Sequence, residues 1–216
     1  GPDIPLMMGA KGRPGMFENK IIPVESHGIK LISIGFFVNE GEPIVWRGPM
    51  IHSAIQQFLK DVNWGALDYL VFDMPPGTGD AQLSLSQVIP LSGALVVTTP
   101  QDVAVLDVRK AIAMFRRMNV PLLGIVENMS DFVCSHCGEK TPIFGEGGGR
   151  KLAEEMGVPL LSQIPLDSET RRGGDEGLPI VIRNPDSLQA GAFLRLAEAV
   201  IARLGTVSAL KLPAIG

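Results

Sequence analysis

The sequence contains only two cysteines, Cys134 and Cys137, among its 216 residues. Two thiols are too few for the disulfide framework of a small secreted domain, so we expect a reducing compartment. We expect the cytoplasm, with an organelle as the alternative if a targeting segment precedes Gly1 in the natural chain. Aromatic residues make up 6% of the chain and charged residues 19%, and the formal net charge is −4. This balance lacks the basic face that is typical of nucleic-acid binders, so we expect no nucleic-acid partner.

Long apolar runs are also missing. None approaches the roughly 20 residues needed to span a bilayer, so we expect no membrane partner. Hydrophobic residues still make up 45% of the chain, and this length can bury a sizeable core. The length predicts one domain over residues 1–205, with a loosely attached tail over 206–216. There is no signal peptide at the start, and the abrupt opening GPDIPLMMG suggests that the natural beginning lies elsewhere.

Apolar runs that alternate with helical patterns predict the fold. Buried strands are predicted over 67–73, 93–99, 121–128 and 158–165, after two short strands at 20–26 and 30–38. Helices are predicted over 50–62, 81–87, 103–118, 148–156 and 167–173, and from Asp186 or Ser187 to Leu204, ending at Gly205. Strands that are apolar on both faces and separated by helices are typical of the α/β class, with a parallel sheet flanked by helices.

Ligands of such sheets bind at the carboxyl ends of the strands. Asp73 ends the apolar run 67–73 and precedes a loop with Pro75, Pro76, Gly77 and Gly79. A carboxylate at a strand end can hold magnesium, and glycines beside it let backbone amides approach a phosphate. The alternative is a plain turn in which Asp73 caps the next segment.

The two cysteines have C-x-x-C spacing, and Gly138 follows the second one. This pattern forms half of a tetrahedral metal site, which a second copy of the chain would complete across a two-fold axis. A redox pair, a disulfide and two incidental thiols are the alternatives. Thiolates suit zinc and iron–sulfur clusters alike, so the pattern does not choose the metal. His136 lies between the cysteines and is expected to point away.

Five segments in this order resemble the Mrp/ApbC-type iron–sulfur cluster carriers, of the MinD/ParA-like branch of the phosphate-loop NTPases. The segments are DMPPGTGD, TPQDVAVLDVRKA, ENMSDFVCSHCG, IFGEGGGRKLAEE and IPLD, and the resemblance covers the chain to about Gly205. It implies a homodimer that holds a 4Fe–4S cluster between the Cys134 and Cys137 pairs of two subunits. It further implies cluster transfer to apo-proteins, contact with cluster scaffold proteins, and a cycle governed by ATP binding and hydrolysis with magnesium.

The same resemblance implies the nucleotide-side residues. Asp73 matches the magnesium-side aspartate, and Gly77 lies in the loop that senses the terminal phosphate. Asn128, Pro165 and Asp167 match positions that surround the adenine and ribose.

One departure concerns the phosphate loop. Family members begin with a strand and a glycine-rich, lysine-bearing loop, whereas the only similar pieces here are AKGRPG (10–15) and GEK (138–140). We therefore expect a phosphate-loop NTPase-like sheet that lacks its first strand and phosphate loop, with unpaired backbone and apolar surface exposed as a result. ATPase activity does not carry over to the chain as written, and whether it is an enzyme stays open.

Two other functions are compatible with parts of the sequence. One is a zinc-bridged, non-catalytic dimerisation or interaction module. The other is a MinD/ParA-like positioning ATPase, which the cysteine pattern and the short, nearly uncharged end TVSALKLPAIG disfavour. Arg47, His27, His52, Arg171 and Arg172 are expected to be core or surface residues outside the site.

Overall fold

The computed structural model describes residues 2–38, 48–134 and 136–211. The chain forms two compact units. Unit 1 comprises Gly1–Ile89 and Arg171–Pro179, and unit 2 comprises Pro90–Thr170 and Ile180–Gly216. The prediction of a single domain over residues 1–205 stays a prediction. In the described part of the chain, no helix is both long enough and apolar enough to cross a membrane.

Unit 1 begins with short elements. They are α1 (Ile4–Met7), β1 (Gly15–Phe17), β2 (Lys20–Ile22), β3 (Val24–Ser26), β4 (Ile29–Leu31) and a 3-10 turn at Ile34–Phe36, followed by α2 (Gly48–Lys60) and α3 (Asp80–Val88). β1 pairs with β2, and β3 with β4, both antiparallel. Each hairpin turns through two residues with positive φ, Glu18 and Asn19 in the first and His27 and Gly28 in the second, a backbone that matches the twist of paired strands.

These hairpins correct the two strands predicted at 20–26 and 30–38. Pro23 separates β2 from β3 because it has no backbone N–H to contribute to a ladder. β1 is not among the predicted strands, since Glu18–Asn19 is not one of the glycine-containing pairs that usually signal a tight turn.

The strand predicted at 67–73 is wrong as well. The structure gives these residues no paired strand, and Val71 is 86% exposed. A parallel strand forms only when a neighbour satisfies its backbone, and no described residue pairs with this run. Leu67, Tyr69 and Leu70 are exposed too.

Unit 2 holds the main sheet, and it confirms the predicted α/β class with a parallel sheet flanked by helices. Its strands are β5 (Ala94–Thr98), β6 (Leu122–Val133), β7 (Lys140–Thr141) and β8 (Leu160–Leu166). β6 lies between β5 and β8 and is parallel to both, while β7 pairs antiparallel with the far end of β6. The flanking helices are α4 (Asp102–Arg117), α5 (Gly148–Met156), α7 (Ile180–Arg183) and α8 (Leu188–Lys211). α6 (Ser168–Glu176) leads from unit 2 into the second segment of unit 1.

Two apolar clusters hold this sheet between helices. One joins β5 and β6 to α4 and α5, and Ile112, Ile125 and Leu152 at its centre are fully buried. The other packs α8 against the opposite face, through Val126, Ile164 and Ala192. Burial on both faces explains why the start of β6 is a continuous apolar run in the sequence.

The last helix is longer than predicted. α8 continues past Gly205 to Lys211 instead of stopping there. A glycine inside a helix costs only about 1 kcal/mol, so neighbouring residues can carry the helix through it. Thr206 Oγ1 donates to Ala202 O at 3.1 Å in this turn.

Candidate functional site

The two cysteines lie on a tight hairpin beyond the main body of β6. Phe132 and Val133 pair with Thr141 and Lys140 of β7, which closes the base of the hairpin. Above it, Cys134 N donates to Glu139 O, and Gly138 N donates to Cys134 O, each at 2.9 Å. Gly138 has φ +73, a backbone that favours glycine. This geometry confines both cysteines to one turn, which we call the cysteine hairpin (residues 132–141).

Backbone amides stabilise one of the two sulfurs as a thiolate. The amide of Cys137, the amide of His136 and the thiol of Cys137 donate to the Cys134 sulfur and hold the pKa of Cys134 below its ordinary value. Both cysteines are free thiols, Cys134 half-buried and Cys137 exposed. Thiolate is the form that binds metal and attacks electrophiles, so the turn favours ligand chemistry at Cys134.

One copy of the chain offers only part of a metal site. Among the residues that the structure describes, no group of three or more His, Cys, Asp or Glu side chains could hold a metal ion. Two thiolates supply half of the four ligands typical of zinc or of a cubane iron–sulfur cluster. The donor set therefore fits a metal or cluster whose other ligands come from outside this copy.

The nucleotide-side residues predicted in unit 2 lie at one end of the sheet. Asn128 on β6 pairs in register with Ile164 on β8, which places Pro165 beside it. The side chain of Asn128 accepts from Met129 N at 3.0 Å, and Met129 has φ +55. Asp167 follows β8, and its Oδ2 accepts from Thr170 N at 2.7 Å, so it caps α6.

Sequence reasoning missed Glu127, which is 1% exposed and precedes Asn128. Its Oε2 accepts from Gly149 N and its Oε1 accepts from Gln163 Nε2, both at 2.6 Å. Arg150 donates to Gln163 Oε1 at 3.2 Å, which extends the network to the surface. Glu127 thereby joins the end of β6 to the start of α5 and to β8. The only signal in the sequence was a carboxylate at the end of an apolar run.

The other predicted nucleotide-side residues lie in unit 1. Asp73 is exposed in the segment without a paired strand. Gly77 has φ +90, so the loop needs glycine at this position. Gln82 on α3 donates from Nε2 to Pro75 O at 2.7 Å and to Gly77 O at 3.0 Å. The predicted site residues thus fall into two sets, Asp73 with Gly77 in unit 1 and the rest in unit 2.

The residues expected outside the site have ordinary roles where the structure describes them. His27 Nε2 lies 3.1 Å from Gly177 O, and His52 Nε2 lies 2.9 Å from Gln56 Nε2. Arg171 forms an exposed ion pair with Asp175 one turn along α6. Arg47 lies outside the described residues.

Comparison with known proteins identifies similar sequences along almost the whole chain. A family model described as ParA, NUBPL iron-transfer P-loop NTPase, matches residues 1–201. The chain is 50% identical over 202 residues to an iron–sulfur protein of Arabidopsis thaliana required for NADH dehydrogenase in mitochondria, covering 93% of this chain and 64% of that protein. It is also 50% identical over 206 residues to an iron–sulfur cluster carrier protein of Escherichia coli, covering 94% and 56%. The chain thus spans less than two thirds of the length of these relatives.

A solved structure has a similar fold. It is a nucleotide-binding protein of Archaeoglobus fulgidus in complex with ADP, with a TM-score of 0.70 and 40% sequence identity. The match covers 82% of this chain and 70% of that one.

Proposed function

The chain belongs to the ParA-type NUBPL/Mrp family of iron-transfer P-loop NTPases, and from this we propose that it binds a 4Fe–4S cluster across a homodimer and transfers it to apo-proteins. The family that the sequence motifs indicated is confirmed, and it is a family of iron–sulfur cluster carrier and transfer proteins. The cluster is cargo in this proposal, held in transit and then released.

The observation that carries the proposal is the cysteine hairpin. It presents Cys134 and Cys137 on one turn, with three donors directed at the Cys134 sulfur, and one copy supplies half of a four-thiolate site. A two-fold axis close to this turn would bring the second pair into place, because a symmetric dimer presents the same residues twice. An exposed Cys137 also leaves the cluster accessible to the thiols of an acceptor protein.

Nucleotide binding is the second part of the proposal. Asp73 would hold magnesium and Gly77 would contact the terminal phosphate, while Asn128, Pro165 and Asp167 would surround the adenine and ribose. A relative of 40% identity bound to ADP supports this part. The glycine-rich, lysine-bearing loop that holds the β and γ phosphates in P-loop proteins is not in the sequence.

We propose apo iron–sulfur proteins and cluster scaffold proteins as partners. A reducing compartment fits the free thiols. The relatives include bacterial carriers and a mitochondrial protein, so we propose the cytoplasm or an organelle of equivalent redox state.

Native mass spectrometry after anaerobic reconstitution tests the proposal. We expect a dimer with the added mass of one 4Fe–4S cluster and an oxygen-sensitive visible absorbance. Cys134→Ala and Cys137→Ala should each abolish cluster binding and weaken the dimer together, because every subunit contributes two of the four ligands. His136→Ala is the matched control within the same turn and should keep the cluster, since His136 contributes its backbone amide.

Three results would contradict parts of the proposal. A colourless dimer that contains zinc would favour a zinc-bridged interaction module. A full cluster in either cysteine variant would exclude the shared site. A metal-free monomer after reconstitution would overturn the carrier function for this polypeptide.

A further inference from the structure

Gln82 is a buried polar residue on α3 that the nucleotide-site assignments do not include. It is 4% exposed and lies on the inner face of the helix with Ala81 and Leu85, which are equally buried. Its Nε2 donates to two carbonyl oxygens of the loop between Asp73 and α3, those of Pro75 and Gly77.

These two hydrogen bonds fix the orientation of the carboxamide. Rotating it by half a turn would place Oε1 against two carbonyl oxygens, which repel it, so only Nε2 can face the loop. In this orientation Oε1 is buried and has no hydrogen-bond partner among the described residues. A buried acceptor without a donor is unfavourable, and the protein keeps it here while both N–H groups of Gln82 hold the loop.

The backbone freedom of this loop lies at its glycines, because Pro75 and Pro76 each have a fixed φ. Gly77 has φ +90. Gly79 is the N-cap residue of α3 and, as a glycine, has no side chain that could cap the helix. Glycines have wide backbone freedom, so a conformation that places Gly77 in one position needs a restraint from outside the loop. Gln82 supplies such a restraint at both ends of the Pro75–Gly77 segment.

We propose that Gln82 is a positioning residue which holds the loop in the conformation that nucleotide with magnesium binds. This inference rests on the proposed nucleotide-binding function, because Asp73 and Gly77 belong to that site. Displacement of a contacting group by even about 1 Å greatly weakens its contribution. Loss of the two hydrogen bonds should therefore lower the affinity for nucleotide, although Gln82 itself is not one of the residues assigned to contact the nucleotide.

Two substitutions remove the restraint in different ways. Gln82→Glu keeps the shape of the side chain but turns a carboxylate oxygen towards the Pro75 and Gly77 carbonyls. Gln82→Met keeps the length and helix propensity, removes both polar ends and relieves the unsatisfied Oε1. Gln87→Glu is the matched control, because Gln87 is exposed on the same helix and undergoes the same change of charge.

Amide hydrogen exchange without nucleotide tests the restraint directly. Removing a hydrogen bond of ordinary strength should speed exchange at the amides of Met74, Gly77, Thr78 and Gly79 by about fivefold in both Gln82 variants. Gln87→Glu should exchange at the wild-type rate. Circular dichroism checks that each variant is folded, and Gln82→Met preserves the test if the buried charge of Gln82→Glu prevents folding. Unchanged exchange in a folded Gln82→Met variant would overturn the inference.

Titration with magnesium and ADP separates this inference from the proposed function. If the wild type binds, we expect at least fivefold weaker binding in the Gln82 variants and none of this loss in Gln87→Glu. Faster exchange with unchanged affinity would overturn the positioning role. If the wild type does not bind and the Gln82 variants still exchange faster, the nucleotide function fails for this chain while the restraint by Gln82 stands.

Discussion

Replacing Glu127 by Gln is the substitution whose effect the structure determines most completely. Glu127 is 1% exposed, and its two carboxylate oxygens accept from Gly149 N and Gln163 Nε2. In Glu127→Gln, the new Oε1 can still accept from Gly149. The new Nε2 then faces the Nε2 of Gln163, which places two donors against each other.

The size of the loss follows from these contacts. A hydrogen bond to a charged group contributes about 1.5–3 kcal/mol, and a buried donor left without an acceptor costs a similar amount. Gln163 can turn its oxygen inward, but it then presents its NH2 group to Arg150, which donates to that oxygen in the wild type. We expect the free energy of unfolding to fall by about 2–3 kcal/mol, allowing for partial relaxation.

A second substitution should reverse the effect. In Glu127→Gln with Gln163→Glu, the amide at position 127 donates to a carboxylate at position 163, which also receives Arg150. Position 163 is exposed, so the carboxylate stays in water and avoids the cost of a buried charge. Gln163→Glu alone places two carboxylates together and should destabilise the protein. The double variant should therefore recover at least half of the loss of Glu127→Gln.

Two assays measure this cycle. Urea unfolding followed by circular dichroism gives the global free energies, and hydrogen exchange at the Gly149 amide reports on the start of α5. A loss of about 2 kcal/mol corresponds to roughly 30-fold faster exchange there if the opening is local. If Glu127→Gln changes stability by less than about 0.5 kcal/mol, or if the four proteins show additive effects, the network is not coupled as described.

Three further predictions rest on other contacts. Gly149→Ala should destabilise the protein by about 1–3 kcal/mol, because the new Cβ would lie 2.9 Å from the Glu127 side chain. A Cβ at Gly205 in α8 would have no atom within 4 Å, so Gly205→Ala should stabilise the protein by about 0.5–1 kcal/mol; urea unfolding measures both effects. In the metal-free protein, iodoacetamide should alkylate Cys134 at lower pH than an ordinary thiol, because the lowered pKa of Cys134 leaves more of it as thiolate at a given pH. Mass spectrometry of quenched samples measures the alkylated fraction, and a midpoint pH equal to or above that of a free thiol would contradict the prediction. Asp73→Asn should reduce the magnesium dependence of ADP binding and leave reconstituted cluster absorbance unchanged, and an equal loss of both would show that it acts on folding.

The parts of the fold that could be predicted are those where burial determines the sequence. The run LLGIV at the start of β6 is buried on both faces, so its apolar character alone predicts a strand of a parallel sheet. The turn at the cysteines could be predicted for a different reason, because C-x-x-C spacing followed by glycine is typical of a turn that directs two sulfurs to one point.

The rest depends on partners that a linear sequence does not display. The apolar run 67–73 has the composition of a strand, but pairing requires a neighbour, and none of the described residues provides one. Glu18 and Asn19 adopt the left-handed turn of a hairpin without the glycine that usually marks it. Glu127 is a charge within an apolar segment, and only the positions of Gly149 and Gln163 show how its burial is compensated.

One consequence of the length of β6 concerns how its two ends are connected. Asn128 and Cys134 are six residues apart, and an extended chain advances about 3.3 Å per residue. Asn128 and Cys134 are therefore at most about 20 Å apart along this segment. A change at one end can still reach the other along a single strand. The pairing of that strand with β8 is irregular between Asn128 and Phe132, where Met129 has positive φ. A small rotation at this irregular step would turn the cysteine hairpin relative to the rest of the sheet.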